Sequence, residues 1–272
     1  MTRRDFLRSA TAISVGALSG VAAYGVAYER HQLTRIERDI TVRGLPRAFD
    51  GLRIGMITDV HHSAAVSAGD VMRAVTMLND AQPDIVVLGG DYISFFDRSY
   101  IGPVAELLTP LAHAKHGSFA VLGNHDDERE VPAALASRGF TVLKDQRTAL
   151  TIDNERLDIA GIRFWTRTPG EVANVLKGTG GTTILLAHDP RRLAEAASLD
   201  VQLVLSGHTH GGQVIVPAVG AIAGRKFPVL AGYATRENTS LFVSRGVGTV
   251  YVPVRINCPP DVAVLTLRAA QW

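Results

Sequence analysis

The sequence predicts an α/β protein built around a large mixed sheet system. From residue 53 to about residue 205, short apolar runs of strand length alternate with segments of helical spacing. From Gln213 onward the helical period disappears, leaving glycine-containing strand patterns. Strands that alternate with helices and are followed by further strands are typical of sheets covered by helices. The chain has 272 residues, of which 46% are hydrophobic, and no linker or repeat divides it, so one large core is expected.

The individual elements follow from local patterns. Apolar runs predict strands at 53–58, 85–88, 119–122, 150–152, 157–162, 183–187, 201–205 and 262–267. Helices are predicted around 71–78, at 104–115, at about 128–138, and after Asp189 and Pro190. The last of these helices is indicated by its first residues, because Asp is a preferred N-cap residue and Pro is favoured at the first position of a helix.

Charge and cysteine content exclude several classes of function. Lys and Arg total 28 against 26 for Asp and Glu, and no basic run follows the first residues, so nucleic acid is not an expected partner. The single cysteine, Cys258, excludes an internal disulfide and a cysteine-ligated zinc or iron–sulfur site. Any bound metal must therefore be held by His, Asp, Asn or Glu.

The first 28 residues have the pattern of an export signal. Residues 2–8 read TRRDFLR and precede an uncharged stretch at 9–28, which resembles a twin-arginine signal. That resemblance implies the twin-arginine export machinery as a partner and a periplasmic or cell-envelope location. Residues 25–27, Gly-Val-Ala, suit cleavage, whereas about 20 uncharged residues could instead anchor the chain in a membrane. We expect 1–28 to be signal peptide or anchor, 29–50 a lead-in segment, and 51–272 the functional domain.

Five predicted strands end in side chains that bind hard metal ions. The segments that follow them are DVHH at 59–62, GGD at 89–91, GNHD at 123–126, His188, and SGHTHGGQ at 206–213. Ligands of open α/β sheets bind at the carboxyl ends of strands, so these five ends can converge on one crevice. Burying carboxylates and imidazoles without partners costs several kcal/mol, and metal ions would supply those partners.

The ordered motifs Asp-x-His, Gly-Asp, Gly-Asn-His-Asp, His and Gly-His-x-His resemble the signature of the calcineurin-like metallophosphoesterase superfamily. The resemblance covers about 51–267 and implies a four-layer α-β-β-α sandwich, with two mixed sheets flanked by helices. The string at 207–213, the lead-in at 45–54 and the tail segments 244–249 and 257–260 are similar to twin-arginine-exported bacterial phosphodiesterases.

The resemblance also implies a ligand set for two divalent metal ions. One ion is held by Asp59, His61 and His210, the other by Asn124, His188 and His208, and Asp91 bridges them. Mixed oxygen and nitrogen ligands favour Mn, Zn or Fe over Mg or Ca. Two ions roughly 3.5–4 Å apart are the arrangement of two-metal hydrolases, which activate water to attack a phosphate ester.

His125 is surplus to this ligand set and lies beside Asn124. We expect it to point at the phosphate and to protonate the departing oxygen as a general acid. Related phosphatases steady this histidine with a carboxylate shortly after the bridging Asp. Here Ser94 lies three positions after Asp91, so Asp97 and Asp126 are the candidates for that role.

Neighbouring residues are expected to be structural. His62 adjoins a ligand, and adjacent side chains point apart, which favours a structural or rim position over function. Four aromatic residues near the motifs are expected to pack in the core rather than to line an apolar substrate pocket; they are Phe95, Phe96, Trp165 and Tyr233.

The substrate is left open by these patterns. The first candidate is a phosphodiester or pyrophosphate of an envelope or lipid-linked substrate, and one reaction in that range is a UDP-2,3-diacylglucosamine pyrophosphatase. The second is a phosphomonoesterase that acts on free organic phosphates. A non-catalytic scaffold on the same fold is disfavoured, because every ligand position and His125 are present.

Overall fold

The computed structural model describes residues 2–270, which form six helices and fourteen strands. The helices are α1 (Arg3–Ala27), α2 (Ala68–Asn79), α3 (Ile101–Leu108), α4 (Glu130–Ala136), α5 (Pro169–Leu176) and α6 (Leu193–Ser198). The strands are β1 (Thr34–Val42), β2 (Arg53–Ile57), β3 (Ile85–Leu88), β4 (Ser118–Ala120), β5 (Thr141–Val142), β6 (Gln146–Ile152), β7 (Glu155–Gly161), β8 (Thr183–Leu186), β9 (Leu203–Ser206), β10 (Ile215–Val216), β11 (Gly220–Ala221), β12 (Gly232–Arg236), β13 (Thr239–Val243) and β14 (Asp261–Ala269).

Twelve of these strands build two six-stranded mixed sheets. The first has the order β1-β14-β2-β3-β4-β5, and the second has the order β12-β13-β9-β8-β7-β6. Strands β2 to β5 run parallel to one another, and so do β7, β8, β9 and β13. Strands β10 and β11 form a separate antiparallel pair. Parallel neighbours end at the same edge of their sheet, and this edge positions the functional residues.

Three apolar cores hold four layers together. Side chains such as Ile54 and Leu186 fill the space between the two sheets. Helices α2, α3 and α4 cover the outer face of the first sheet through residues such as Leu108. Helices α5 and α6 cover the second sheet through residues such as Val172 and Ala196. The predicted four-layer α-β-β-α sandwich is confirmed.

The segment 29–50, expected only to lead into the domain, contributes an edge strand to the first sheet. Strand β1 pairs in parallel with β14 from Thr34 to Val42. Ile40 and Phe49 are completely buried between the sheets. The sequence of β1, TRIERDITV, is too polar to show an apolar run, because an edge strand is exposed along much of its length. Its partner lies at the opposite end of the chain, so no local pattern could reveal the pairing.

The sequence predicts two helices that are longer than the corresponding helices of the structure. The helix expected at 104–115 ends at Leu108 and continues only as a 3-10 turn, Thr109–Leu111. Pro110 explains this end, since proline lacks the N–H that a continuing α-helix requires. The helix expected at about 128–138 begins at Glu130, where the Asp127 carboxylate accepts the first free N–H groups.

The amino-terminal helix ends in contact with carboxyl-terminal loops. Arg255 donates its backbone N–H to the Gly25 carbonyl over 3.2 Å. The buried Glu29 carboxylate accepts the Cys258 backbone N–H at 2.6 Å. Across residues 2–270, no helix combines the length and apolarity needed to cross a membrane. A signal peptide or anchor at 1–28 stays a prediction.

Candidate metal centre

The five predicted strand-end segments meet at one edge of the two sheets. Strands β2, β3 and β4 deliver 59–62, 89–91 and 123–126, and strands β8 and β9 deliver His188 and 206–213. Contact between the sheets is direct, because the His208 backbone N–H donates to the Asp59 carboxylate at 2.9 Å. The edge expected from the motifs is therefore the place where both sheets end.

The first group of metal-competent side chains comprises Asp59, His61 and His210. Its ligand atoms lie within 4.8 Å of one another, and all three residues are buried. His61 Nε2 lies 3.1 Å from His210 Nε2, and His210 Nε2 lies 3.4 Å from Asp59 Oδ1. Two imidazole nitrogens and a carboxylate oxygen thus face a common point, which is a suitable half-shell for a divalent cation.

The second group comprises Asp91, His188 and His208. His188 Nε2 lies 3.1 Å from Asp91 Oδ2. The other ring nitrogen of His188 donates to the Gly89 carbonyl at 2.8 Å, and this bond keeps Nε2 turned towards the centre. The same Asp91 Oδ2 lies 3.5 Å from His61 Nε2, so this carboxylate reaches both groups.

One buried candidate ligand atom in the described part of the chain supports metal binding. Asn124 Oδ1 makes no hydrogen bond there, although this atom is not accessible to solvent. An unpaired buried polar atom costs roughly 1–3 kcal/mol, so a cation that accepts its lone pair would offset that cost. The donors present, carboxylate, amide oxygen and imidazole, fit a divalent transition-metal ion.

The backbone around the ligands is unusual. Five of the ligand residues have left-handed backbone angles, with φ of 50° at Asp59, 48° at His61, 55° at Asp91, 70° at His208 and 51° at His210. Such conformations cost about 1–3 kcal/mol each outside glycine and persist at functional sites where surrounding structure imposes them. They turn the chain sharply at the strand ends, so the ligand side chains face the centre.

Two glycines let the ligand carboxylates lie against backbone. A Cβ atom on Gly123 would lie 2.0 Å from Asp91 Oδ1, and one on Gly207 would lie 2.2 Å from Asp59 Oδ2. No larger residue fits either place. The glycines of the Gly-Asn-His-Asp and Gly-His-x-His motifs are therefore explained by close packing against the carboxylates.

Asp126 supports the bridging carboxylate through the backbone. Its buried carboxylate accepts the N–H groups of Asp91 at 2.8 Å, Tyr92 at 2.8 Å and Gly123 at 2.9 Å. These bonds tie the loop after β3 to the loop after β4. Asp126 thus positions two loops, and in the described structure no hydrogen bond joins its carboxylate to the His125 ring.

His125 is oriented by a backbone group. The Phe95 N–H donates to His125 Nδ1 at 3.1 Å, so the ring carries its proton on Nε2 in this geometry. Burial lowers the pKa of His125. Ser94 and Asp97 serve other groups: Ser94 Oγ lies 3.3 Å from His61 Nδ1, and the exposed Asp97 caps the turn at Ser99. The expected carboxylate support is replaced by the Phe95 amide.

Burial and mutual charge shift the pKa values of the ligands. Burial raises the pKa of Asp59 to about 6 and lowers those of His61 and His208 to about 4 and about 3. His188 differs: burial opposes its charge, yet the carboxylates of Asp91 and Asp59 raise its pKa to about 10.

Core packing was predicted for four aromatic residues and is wrong for three of them. Phe95, Phe96 and Trp165 are 57%, 56% and 54% exposed, so core packing is wrong for all three. Tyr233 does pack against the core between the sheets. His62 is buried outside the two groups, and its Nδ1 donates to the Val66 carbonyl at 2.9 Å.

Two cavities open beside the centre. The first, here the His208 cavity, has a volume of about 410 Å³ and is lined by His208, His210, Ile222, Phe227, Tyr251 and Val252, among others. The second, here the Phe95 cavity, has about 480 Å³ and is lined by Ser94, Phe95, Tyr100, Tyr251 and Val252, among others. No motif marks segments 214–227 and 250–252 as site residues, because only the tertiary fold brings them to the candidate ligands.

Comparison with known proteins identifies the family of the chain. The calcineurin-like phosphoesterase family matches residues 52–212, a range that contains every candidate ligand described above. The chain belongs to this family. It is therefore a phosphoric ester hydrolase, and the resemblance of its ordered motifs to the calcineurin-like metallophosphoesterase superfamily is confirmed. Export by the twin-arginine route stays a prediction.

Three individual proteins are similar to this chain over most of its length. The uncharacterized metallophosphoesterase YkuE of Bacillus subtilis is 30% identical over 99% of this chain and 98% of its own length. Phosphodiesterase YaeI of Escherichia coli is 30% identical over 79% of this chain and 82% of its own. A transmembrane protein with metallophosphoesterase domain from Danio rerio is 29% identical over 98% of this chain, which spans 64% of that relative.

Proposed function

We propose that this metallophosphoesterase hydrolyses a phosphodiester or pyrophosphate of an envelope or lipid-linked substrate, using two divalent metal ions, Mn, Zn or Fe. The observation that carries the proposal is the position of Asp91 between the two ligand groups. Its Oδ2 lies 3.1 Å from His188 Nε2 and 3.5 Å from His61 Nε2, so one carboxylate can serve both ions.

The metal ions and the protein side chains would make different contributions to the reaction. Two ions held there would lower the pKa of a water molecule and draw charge from the phosphate oxygens. The chain itself contributes fixed geometry: Asp126 holds the backbone of Asp91, and the Gly89 carbonyl holds the His188 ring. Ligands fixed in this way need little reorganisation when the substrate arrives.

A diester or pyrophosphate fits the surroundings of the centre better than a monoester does. Both substrates carry substituents on two sides of the reacting phosphate, and two cavities that share Tyr251 in their lining lie near the centre. The similarity to a protein named phosphodiesterase, YaeI, favours the same class. The UDP-2,3-diacylglucosamine pyrophosphatase reaction is one member of this range, and phosphomonoesterase activity is the alternative.

We propose that His125 acts on the substrate through Nε2–H. A general acid at this position must be doubly protonated, but the Phe95 N–H occupies the Nδ1 lone pair. The contact therefore favours a ring that donates a hydrogen bond to an oxygen that gains charge over one that transfers its proton. General acid catalysis by His125 stays a prediction, and the experiment below separates the two roles.

We also propose export by the twin-arginine route to the periplasm or cell envelope. Support comes from Arg3 and Arg4 followed by Phe6 and Leu7 at the start of the chain. That route carries folded proteins, which suits a metal enzyme whose single cysteine, Cys258, is buried and unpaired.

The metal stoichiometry tests the shared carboxylate. Protein purified from Mn- or Zn-supplemented medium should approach two equivalents per chain by elemental analysis. Asp91→Asn should lose both ions together, because this residue reaches both groups. Asp97→Asn, an exposed carboxylate that caps a turn, is the matched control and should keep them. A parent protein that never exceeds one equivalent would refute the two-ion site.

A substrate panel tests the reaction class. We expect kcat/KM for bis(p-nitrophenyl) phosphate or a nucleotide-sugar pyrophosphate to exceed that for p-nitrophenyl phosphate by about tenfold or more, which corresponds to about 1.4 kcal/mol of transition-state binding. The physical reason is the second substituent, which contacts a cavity that a monoester leaves empty. Equal or higher kcat/KM for the monoester would favour the phosphomonoesterase alternative.

His125→Ala distinguishes hydrogen-bond donation from proton transfer. The variant should keep its metal ions and lose roughly 10²–10³-fold in kcat, equally on alkyl and nitrophenyl esters, because the lost interaction is with phosphoryl oxygen. A loss that is severe on alkyl esters and mild on nitrophenyl esters would instead establish a general acid, since nitrophenolate leaves without a proton. His113→Ala, an exposed histidine, is the control.

The leader is tested by charge-conserving substitution. Replacing Arg3 and Arg4 by Lys preserves the positive charge but should abolish twin-arginine recognition and leave folded protein in the cytoplasm. Arg8→Lys, outside the arginine pair, should be exported normally. Cell fractionation measures both, and efficient export of the Lys-Lys variant would show that another route is used.

A further inference from the structure

We propose that the His208 cavity binds an apolar alkyl or acyl arm of the substrate, namely the arm that stays on phosphorus. The inference rests on the proposed phosphodiesterase function and names the chemistry of one side of its substrate. Four features of the described structure lead to it: the position of the cavity, its lining, its rigid wall and its difference from the Phe95 cavity.

The His208 cavity begins at the metal ligands themselves. His208 and His210 form part of its surface, and the Phe227 ring stands edge-on to the His208 ring with 5.2 Å between centroids. A phosphate bound at these ligands would extend a substituent directly along the Phe227 wall. The cavity volume of about 410 Å³ lies within the range of roughly 300–1,000 Å³ that small-molecule sites occupy.

The lining is apolar and open to solvent. Ile222 is 62% exposed and Val252 is 53% exposed at the cavity mouth. Among the described residues that line the cavity, none carries a carboxylate, and Lys226 is the one Lys or Arg. Exposed apolar groups clustered around a charged centre are unfavourable in water and mark binding sites. The chemistry that would cover them is a hydrocarbon chain attached to an anionic phosphate.

The wall between the two cavities is held in place. Tyr251, 79% exposed and with a φ of 61°, lines both cavities. The Gln213 side chain accepts the Val250 N–H at 2.8 Å and donates to the Val252 carbonyl at 3.0 Å. Gln213 directly follows the Gly-His-x-His-Gly-Gly segment, so the wall is fixed relative to the ligands His208 and His210.

The Phe95 cavity has a more polar lining than the His208 cavity, and we assign it to the other arm of the substrate. The Phe95 cavity contains Ser94, Asp97 and Tyr100 in addition to its apolar surface. Phe95 lies beside His125, with 5.0 Å between the ring centroids. We assign the leaving arm to this cavity because Ser94, Asp97 and Tyr100 make its lining the more polar of the two. The apolar arm in the His208 cavity therefore remains on the phosphate.

A homologous series of diesters tests the inference. The substrates are alkyl p-nitrophenyl phosphates with methyl, butyl, hexyl and octyl chains, each used below the concentration at which it forms micelles. Nitrophenolate leaves in every case, so the alkyl chain is the arm that stays. The metal-loaded enzyme should show kcat/KM rising by about three- to fourfold for each methylene that the cavity buries.

Two variants of one hairpin region separate the cavity from the general surface. Ile222→Asn places an amide at the mouth and should flatten the octyl-to-methyl ratio of kcat/KM. Val219→Asn is the matched control, because Val219 is 61% exposed in the same region but does not line the cavity. It should keep the ratio of the parent. Both side chains are exposed, so neither change disturbs the core.

A binding measurement gives a readout without turnover. Octyl phosphate should bind the metal-loaded protein more tightly than methyl phosphate does in isothermal titration calorimetry, with a negative heat-capacity change from buried apolar surface. Ile222→Asn should remove this advantage.

The outcomes also distinguish this inference from the proposed function. Turnover of the methyl diester with no gain from longer chains would overturn the inference and leave the phosphodiesterase function intact. Val219→Asn flattening the ratio as strongly as Ile222→Asn would overturn it too, because the chain would then contact the surface generally. Failure to hydrolyse any diester, with hydrolysis of p-nitrophenyl phosphate, would refute both.

Discussion

The buried carboxylate of Asp91 is the constraint on which the rest of the site depends. It faces His61 and His188 at the junction of the two sheets and accepts the His125 backbone N–H at 2.8 Å. An anionic group in such a place is costly unless cations surround it. The surrounding imidazoles, the strained strand ends and the glycines that admit the carboxylate are consistent with this single requirement. Asp126, equally buried, then secures the backbone of Asp91.

The metal centre and the cavities that would select the substrate lie on different parts of the fold. The ligands sit at the ends of short parallel strands, whose neighbours on both faces are packed in apolar cores. Such elements hold side chains within small tolerances, as a two-metal site requires. The His208 cavity is formed largely by residues of 213–227 and 250–252, and the side chain of Gln213 links these two segments through hydrogen bonds. Changes in the sequence of such loops can alter substrate preference without disturbing the metal centre.

The sequence predicts an element correctly where its signal is local, and wrongly where the outcome depends on distant parts of the chain. The strands that end in ligands were recognised because each is a continuous apolar run buried on both faces, and such a run is visible locally. Strand β1 was missed because it is a polar edge strand whose partner β14 lies at the far end of the chain. Phe95, Phe96 and Trp165 were placed in the core because hydrophobicity alone does not report exposure.

The sequence by itself determined the fold class, the family and the identity of the metal-competent residues, because these depend on apolar periodicity and on motifs a few residues long. Only the tertiary structure decided that Phe95 orients His125 through its amide. It also decided that Ile222, Phe227 and Tyr251 lie beside the ligands. The reason is physical: these relations are distances between atoms remote in the chain, and packing of two sheets sets them, whereas local pattern reports only which face of an element is buried.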